Sequence, residues 1–488
     1  MKPINRNFLI FLLAVFIFIA ASCGSSPDSG VTGETTAAES AAETQAATTQ
    51  LKDSLPELDL DGEKVTLLIN SRNLVTYVAE ESGDIVNDAV FARNRAVEER
   101  FNVVIEYVPI DGLSTNMANF LAAIRNSVLA SDGAYDVVIP PYWYGATLVQ
   151  EGFYLNLLDL PYFDFEQPWW TQGFNEPALI YNKLYACVGD FELVQLKGLI
   201  LTYFNKETIE NLNLKSPYEL VDEGMWTIEK QIEYAEAAGR DLDGDGVINE
   251  KDTFGFIMQL HGIRAYATNF GIKYIAKNAE GDYYIANDTQ KTADAYELMY
   301  KVARGSDYTY FMDDTLNYDF MYKFFSDGKA LFMPFSLDAV EILRTMDADF
   351  GLVPMPKYDE NQEEHITSSI GCGIIAIPIS ATNPETSALV LEALSFESHV
   401  NVIPAYYEVA LKTKYSRDND SEKMLDIVRE TAYYDFGFIN NTNLAGISDD
   451  FGNYIRSKNA DFASWYASKK TQYETSLDKL LEVYKELP

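Results

Sequence analysis

The sharpest chemistry in this 488-residue chain is a single acidic loop, Asp241 to Asp252, DLDGDGVINEKD. Oxygen-bearing side chains stand at loop positions one, three, five, nine and twelve (Asp241, Asp243, Asp245, Asn249 and Asp252), glycine at six (Gly246), and the Val247 carbonyl at seven. That is the spacing of an EF-hand-type loop, in which hard oxygen ligands wrap a hard cation and the glycine permits the sharp turn. Many carboxylates on a flexible loop favour Ca2+ over the smaller Mg2+. Asp252 replaces the long glutamate usual at position twelve, which shortens its reach. All ligands come from one contiguous stretch, so the expected ion pins a turn and performs no catalysis.

Aromatic residues form a second signal. Tyr142-Trp143-Tyr144 and Pro168-Trp169-Trp170 flank short segments, and an aromatic face is a surface on which the C–H side of a sugar packs. Most such rings are core residues. Trp143 is the exception by position, at the expected rim of a sheet.

Catalytic patterns are weak by comparison. His261, His365 and His399 lack metal-ligand spacing, and neither a G-x-S-x-G elbow nor a phosphate-binding Walker loop occurs. Asp136 or Asp190 could act as an acid or base in glycoside hydrolysis, but no partner carboxylate is marked at the required separation. A formal charge of −37, from 74 acidic against 37 basic residues, argues against nucleic acid, whose phosphates need Lys and Arg. Three cysteines are too few for a disulfide scaffold. Cys187 and Cys372 can pair outside the cell, though two buried thiols are favoured.

The elements that must position these groups follow from periodicity. Lys64–Asn70 (KVTLLIN) reads as a strand, 87–101 as an amphipathic helix, 102–108 as a strand, 116–130 as a helix and 135–139 (YDVVI) as a short strand. A β-α-β-α-β succession implies a mostly parallel sheet with helices on both faces, and ligands in such sheets sit beyond the carboxyl ends of the strands. The aromatic segment PPYWYGATLVQEG, expected as a loop, begins at that edge. A second α/β region starts after KLYACVGD, with strands at 198–205, 253–259, 328–334 and 350–355. It also has a helix capped by Thr227 and closed by Gly239 and another at 318–327. A glycine-rich apolar run (370–377), a helix at 383–395 and two long helices, about 422–434 and 460–485, complete the chain.

The amino terminus reads as an export signal. Lys2 and Arg6 precede the apolar run Phe8–Ala21, and Ala21-Ser22-Cys23-Gly24 is a small-residue cleavage point with a cysteine at the mature start. The run is shorter than the roughly 20 apolar residues of a permanent span. It resembles a bacterial lipobox, with Ala20 where leucine is usual, so Cys23 is the expected lipidation site. Residues 24–50 are almost wholly small and polar and are expected to be a flexible tether, with the spacer running to 57.

The order of several segments resembles family 1 extracellular solute-binding proteins, the lipid-anchored receptors of ABC importers. These are YDVVI with its aromatic segment, KLYACVGDFEL, LTYFNKETIENL leading into WTIEK, the calcium-type loop, and DGKALFMPFS followed by DFGLVPMPKYDENQ. The resemblance implies an α/β, periplasmic-binding-protein-like fold (type II): two lobes, each a sheet flanked by helices, joined by a hinge. Carried onto this chain, the crossings fall near Cys187–Asp190, Met355–Lys357 and Pro404, giving one lobe of 58–187 plus 356–404 and another of 188–355 plus 405–488. It implies a sugar or oligosaccharide captured between the lobes by Tyr142 and Trp143, Asp190 as an acceptor, His261 or Arg264 as a donor, and Phe335 with Ser336 as the opposite wall. The implied protein is a monomeric, non-enzymatic receptor, lipid-anchored at the extracellular face of the cell membrane and handing solute to an ABC permease. A surface-anchored glycan-degrading enzyme is the alternative; it requires a facing carboxylate pair about 5 to 10 Å apart.

Overall fold

The computed structural model describes residues 51–488, apart from 113–114, 313–316, 346–348, 370, 416–417 and 458–460, and for 413–415 the backbone only. The export signal, Cys23 and the tether to residue 50 lie outside the described residues.

The first sheet is built around β1 (Glu63–Asn70), which pairs in parallel with β2 (Val103–Ile110) on one side and β3 (Val137–Val138) on the other. Val65, Leu67, Leu68 and Ile69 are all buried, the continuous apolar run of a strand covered on both faces. Helix α1 (Ile85–Phe101) begins where Asp84 accepts from the Val86 and Asn87 amides and ends at Asn102 in the left-handed region, so the chain reverses straight into β2. Helix α2 (Met117–Ala130) returns it to β3. Distant chain joins the same layer through bridges of Val138 with Ala376 and of Cys187 with Ile375. Helix α6 (Pro384–Glu397) lies against α1.

The second sheet contains β4 (Ile200–Asn205), β5 (Phe254–Met258), β6 (Thr309–Phe311), β7 (Ala330–Ser336) and β8 (Phe350–Pro354), in the order β8-β4-β7-β5-β6. It is mixed: β4 is antiparallel to both β8 and β7, whereas β5 runs parallel to β7 and β6. Helix α3 (Tyr142–Gln150) follows β3, α4 (Ile228–Ala238) is capped by the Thr227 hydroxyl as expected, and α5 (Leu260–Asn269) follows β5.

Four expectations change. The aromatic segment after YDVVI is not a loop; Tyr142 opens α3 directly behind Pro141, whose fixed φ suits a helix start. The helix expected at 422–434 runs Asn419–Glu430, because Ala432–Tyr433 leave it to pair with Thr367–Ser368. The last long helix is two, Phe462–Ala467 and Lys470–Glu486. The first is held by Tyr466 donating to Asn287 and Trp465 packing on Tyr454, and the second buries Tyr473, Leu477 and Leu480. The spacer does not extend to 57: Asp53 takes a two-pronged hydrogen bond from Arg100, and Leu55 is buried with Phe101. A carboxylate that fits a guanidinium fork, beside one apolar side chain, is enough to dock this segment. Cys187 and Cys372 are buried free thiols.

Candidate functional site

The carboxyl ends of strands from both sheets meet at one place. Past β1, Asn70 caps a single turn, Ser71–Asn73, by accepting from the Arg72 amide, and the same oxygen accepts from Gly112 at the end of β2. Past β3, the first turn of α3 presents Tyr142, Trp143 and Tyr144. Past β5, Gln259 accepts from the His261 amide and starts α5. At Gly262 a β-carbon would lie 2.2 Å from the Pro334 carbonyl. Only glycine lets α5 press this closely on β7, and that contact sets His261 beside Phe335 and Ser336.

Two cavities result. One, about 460 Å3, is bounded by Tyr142–Tyr144, His261, Arg264, Phe438 and the segment Asn441–Asp449. The other, about 400 Å3, is bounded on one side by Asn70, Arg72, Asn73 and Tyr77 and on the other by Tyr318, Tyr322, Phe335, Ser336 and Asp338, with Gly371–Gly373 between them. Trp143 and His261 line both. Aromatic faces interrupted by a few amides, hydroxyls and charges suit a small polar ligand.

The charges are mostly neutralised. Arg264 Nη2 is 3.1 Å from Asp449 Oδ1, and Lys197, in the smaller cavity, is 2.9 Å from Glu341. Burial and the Arg264 charge push His261 down to about 4, so its imidazole is neutral and offers one donor and one acceptor. Burial raises Asp338, and its hydrogen bond from Ser336 opposes that shift. Arg72 is exposed and makes no ion pair among the described residues; its charge lowers the Tyr318 phenol against the upward push of burial.

Of the residues expected from sequence, Tyr142, Trp143, His261 and Arg264 line the larger cavity and Phe335 and Ser336 the smaller. Tyr142 is almost wholly buried, packed edge-on against Trp143 and Tyr434, so it backs Trp143 more than it faces the opening. Asp190 lines neither cavity: it is buried, accepts from Gln195 Nε2 and is hydrogen-bonded to His399 Nδ1 at 2.6 Å. A carboxylate so engaged ties the 187–192 segment to the turn after α6. Asp136 is likewise structural, accepting from the Thr66 and Thr382 amides. Trp169 and Trp170 are core residues whose indoles both donate to buried Glu392. Sequence reading missed Arg72 and Asn73, which lie beyond the carboxyl end of KVTLLIN where the strand-end rule would have found them. It also missed Tyr318, Asp338 and Asn441–Asp449, for which no local pattern exists. Thr442 donates to the Trp143 carbonyl at 2.7 Å and Asn443 to that of Ala146.

The calcium-type loop stands apart from both cavities' walls. Asp241, Asp243 and Asp252 bring carboxylate oxygens within 4.8 Å of one another, and Gly244 and Gly246 take the positive φ the turn requires. Asp252 is fully buried and accepts from the Leu242 and Asn249 amides, which hold it ionised. The oxygen-only donor set suits a hard cation. Asp245 is outside that trio, accepting instead from the Val247 amide, and the Val247 carbonyl is taken by the Asn249 side-chain amide.

No family model and no curated protein matches the sequence, but solved structures match the fold across most of the chain. The galacto-N-biose-/lacto-N-biose I-binding protein of an ABC transporter from Bifidobacterium longum, in complex with lacto-N-biose, superimposes with a TM-score of 0.59 at 13% identity, over 86% of this chain and 98% of that one. The chain has the two-lobed fold of these substrate-binding proteins. Within the same fold, the GacH receptor of Streptomyces glaucescens, solved unliganded and with acarbose, has a TM-score of 0.53 at 14% identity over 87% of this chain and 98% of that one. An ABC substrate-binding protein from Listeria monocytogenes in complex with cycloalternan has a TM-score of 0.53 at 11% identity, over 87% and 100%. These neighbours are binding proteins, not enzymes.

Proposed function

We propose that this protein is the solute-binding receptor of an ABC importer, anchored through a lipid at Cys23 on the outer face of the cell membrane, capturing a sugar or oligosaccharide between its lobes and delivering it to a permease as a monomer without chemical conversion. The observation that carries this reading is the meeting of both sheets' strand ends around two cavities joined by Trp143 and His261. An aromatic partition with neutral hydrogen-bonding groups on either side binds a polyol by stacking and hydroxyl contacts. The neighbours' ligands, lacto-N-biose, acarbose and cycloalternan, are all carbohydrates.

Lobes of 58–187 plus 356–404 and of 188–355 plus 405–488, with Asp190 and His399 joining two of the crossings, are the proposed moving bodies. The loop Asp241–Asp252 is proposed to hold one structural Ca2+. The glycan-degrading alternative has less support: each cavity offers one carboxylate among its described residues, Asp449 held by Arg264 and Asp338 by Ser336. Melting temperature measured against acarbose, lacto-N-biose and cycloalternan, with product analysis of each incubation, tests the reading. Stabilisation without turnover supports it, since a ligand binding only the folded state raises the melting point; cleavage of any of the three would overturn it.

A further inference from the structure

Beneath the smaller cavity lies a carboxylate that lines neither chamber. Glu192 is fully buried, receives the Tyr77 hydroxyl on Oε2, and its Oε1 has no hydrogen-bond partner among the described residues. Tyr77, Cys372 and Gly373 form part of the cavity wall directly above it. A β-carbon on Gly373 would stand 3.3 Å from Glu192 Oε2, so the glycine leaves only backbone between carboxylate and cavity.

The groups facing Glu192 are Tyr77, Arg93 of α1, the Cys372 thiol and the backbone amides of Gly373 and Val194. Arg93 does not pair with it: the guanidinium donates to the Thr76 and Tyr77 carbonyls and to Ser398 Oγ, and covers the Phe191 ring at 4.7 Å. Burial pushes Tyr77 well above the usual phenol range and Cys372 above the usual thiol range, so both stay protonated. Glu192 is raised to about 7, by burial first, against the opposing Tyr77 hydrogen bond, the Gly373 amide, the Arg93 charge and the Val194 amide. It is therefore the one member of this cluster that changes charge near neutrality.

We propose that Glu192 is a positioning residue that sets the direction of the Tyr77 hydroxyl and so decides whether the floor of the cavity accepts a hydrogen bond from the solute or donates one. This rests on reading the cleft as a sugar site. With Glu192 ionised, the phenolic proton is committed to the carboxylate and the Tyr77 oxygen has only lone pairs for the solute, so it accepts from a sugar hydroxyl. With Glu192 protonated, the carboxyl proton occupies that contact and the phenolic hydrogen is free to turn towards the cavity. A solute hydroxyl donating to Tyr77 favours the ionised form, so binding releases the proton of Glu192 and affinity rises with pH through neutrality.

The test has two independent arms. In the first, binding of lacto-N-biose, acarbose and cycloalternan is titrated across the neutral range in buffers of different ionisation enthalpy. Affinity is expected to rise with pH, approaching about tenfold per unit on the acid side for one linked proton, and Glu192→Gln and Tyr77→Phe are each expected to flatten the profile. A Glu192→Gln protein that binds sugar with the wild-type pH profile overturns the proposal. In the second arm, no sugar is used: the infrared absorption of protonated carboxyls is followed through neutral pH, and the component lost in Glu192→Gln, which leaves those of Glu392 and Asp435 in place, is expected to be shifted in its midpoint by Tyr77→Phe. If none of the sugars binds but Tyr77→Phe moves this titration, the sugar reading fails and the coupling stands. If Tyr77→Phe leaves it in place, the coupling itself is overturned.

Discussion

Trp143 and His261 are the two side chains that line both cavities, Trp143 from the first turn of α3 and His261 from the first turn of α5. One belongs to the helix after β3 and the other to the helix after β5, so a solute touching both bridges the two sheets. Trp143→Ala is expected to weaken sugar binding by about tenfold or more, from the loss of roughly 1.5 kcal/mol of stacking. His261→Gln, which keeps a donor and an acceptor, should weaken it less than His261→Ala. Calorimetry on the three carbohydrates checks both. Because His261 is held near 4, replacing it should leave any pH dependence of binding above about pH 6 unchanged.

Arg72 is the cleft's exposed guanidinium without an ion pair among the described residues, opposite Tyr318 and Phe335. Arg72→Ala should cost affinity by about tenfold or more, in keeping with roughly 1.5 to 3 kcal/mol for a hydrogen bond that involves a charged group. Stability should stay nearly unchanged, because no packed partner is lost. Equal affinity in both proteins would remove Arg72 from the site.

Asp190 makes the opposite prediction. Its partners are Gln195 and His399, not the cavities, so Asp190→Ala should destabilise the protein by about 2 to 4 kcal/mol through the unpaired buried groups left behind. The order of preference among sugars should not change. Denaturant titration and ligand competition separate the two effects.

Removal of Ca2+ by chelation is expected to lower the melting temperature, and Asp241→Ala or Asp243→Ala should abolish the response to added Ca2+. Sugar affinity at a temperature where both forms are folded should be the same with and without the ion, since the loop forms no part of either cavity's wall. The loop keeps its own hydrogen bonds through Asp252 to Leu242 and Asn249, so chelation should loosen the turn without unfolding the protein.

Stability against pH is set by buried acids. Glu192, Glu392 and Asp435 are each raised to about 7 and Asp450 to about 6, with burial the leading cause in all four. The folded state holds these protons more tightly than the unfolded chain, so stability falls as pH rises from the unfolded carboxylate range to about 7. His261 and His365, both lowered to about 4 by burial, act with the opposite sign between about 4 and 6.5. Four acids outweigh two histidines, and between 6.5 and 7 the acids act alone. Urea midpoints are expected to be higher near pH 5 than near pH 8, and Glu392→Gln should reduce that difference; a midpoint that rises steadily to pH 8 would contradict this account.

The helices and strands were readable where periodicity was strong: β1, α1, α2 and α4 fall within two or three residues of their expected limits, and Thr227 caps as expected. The fold itself is shared with solved two-lobed proteins at identities of 11 to 14%, so pattern and order carried it where residue identity could not. The rule that ligands gather at strand ends pointed to Trp143, which lines both cavities, and points equally to Arg72, which lines one of them. Asp190 was not placed correctly, because a buried hinge carboxylate and a ligand acceptor have the same appearance in one dimension. The break between Ala467 and Lys470 was equally hidden, since no proline or glycine marks it in the sequence.

By itself the sequence determined the α/β alternation, the acidic oxygen-ligand loop, the absence of a recognised catalytic motif and the positions where apolar strands end, because propensity, periodicity and ligand spacing act over a few residues. Only the tertiary structure decided which of those ends meet. His261 stands beside Phe335 and Ser336 because Gly262 lets α5 close on β7, and Glu192 lies under the cavity because Gly373 has no side chain to separate them. Gly262 and Pro334 are 72 positions apart, and Glu192 and Gly373 are 181. Local sequence carries no energy term for such distances; they are set by the packing of one layer against another.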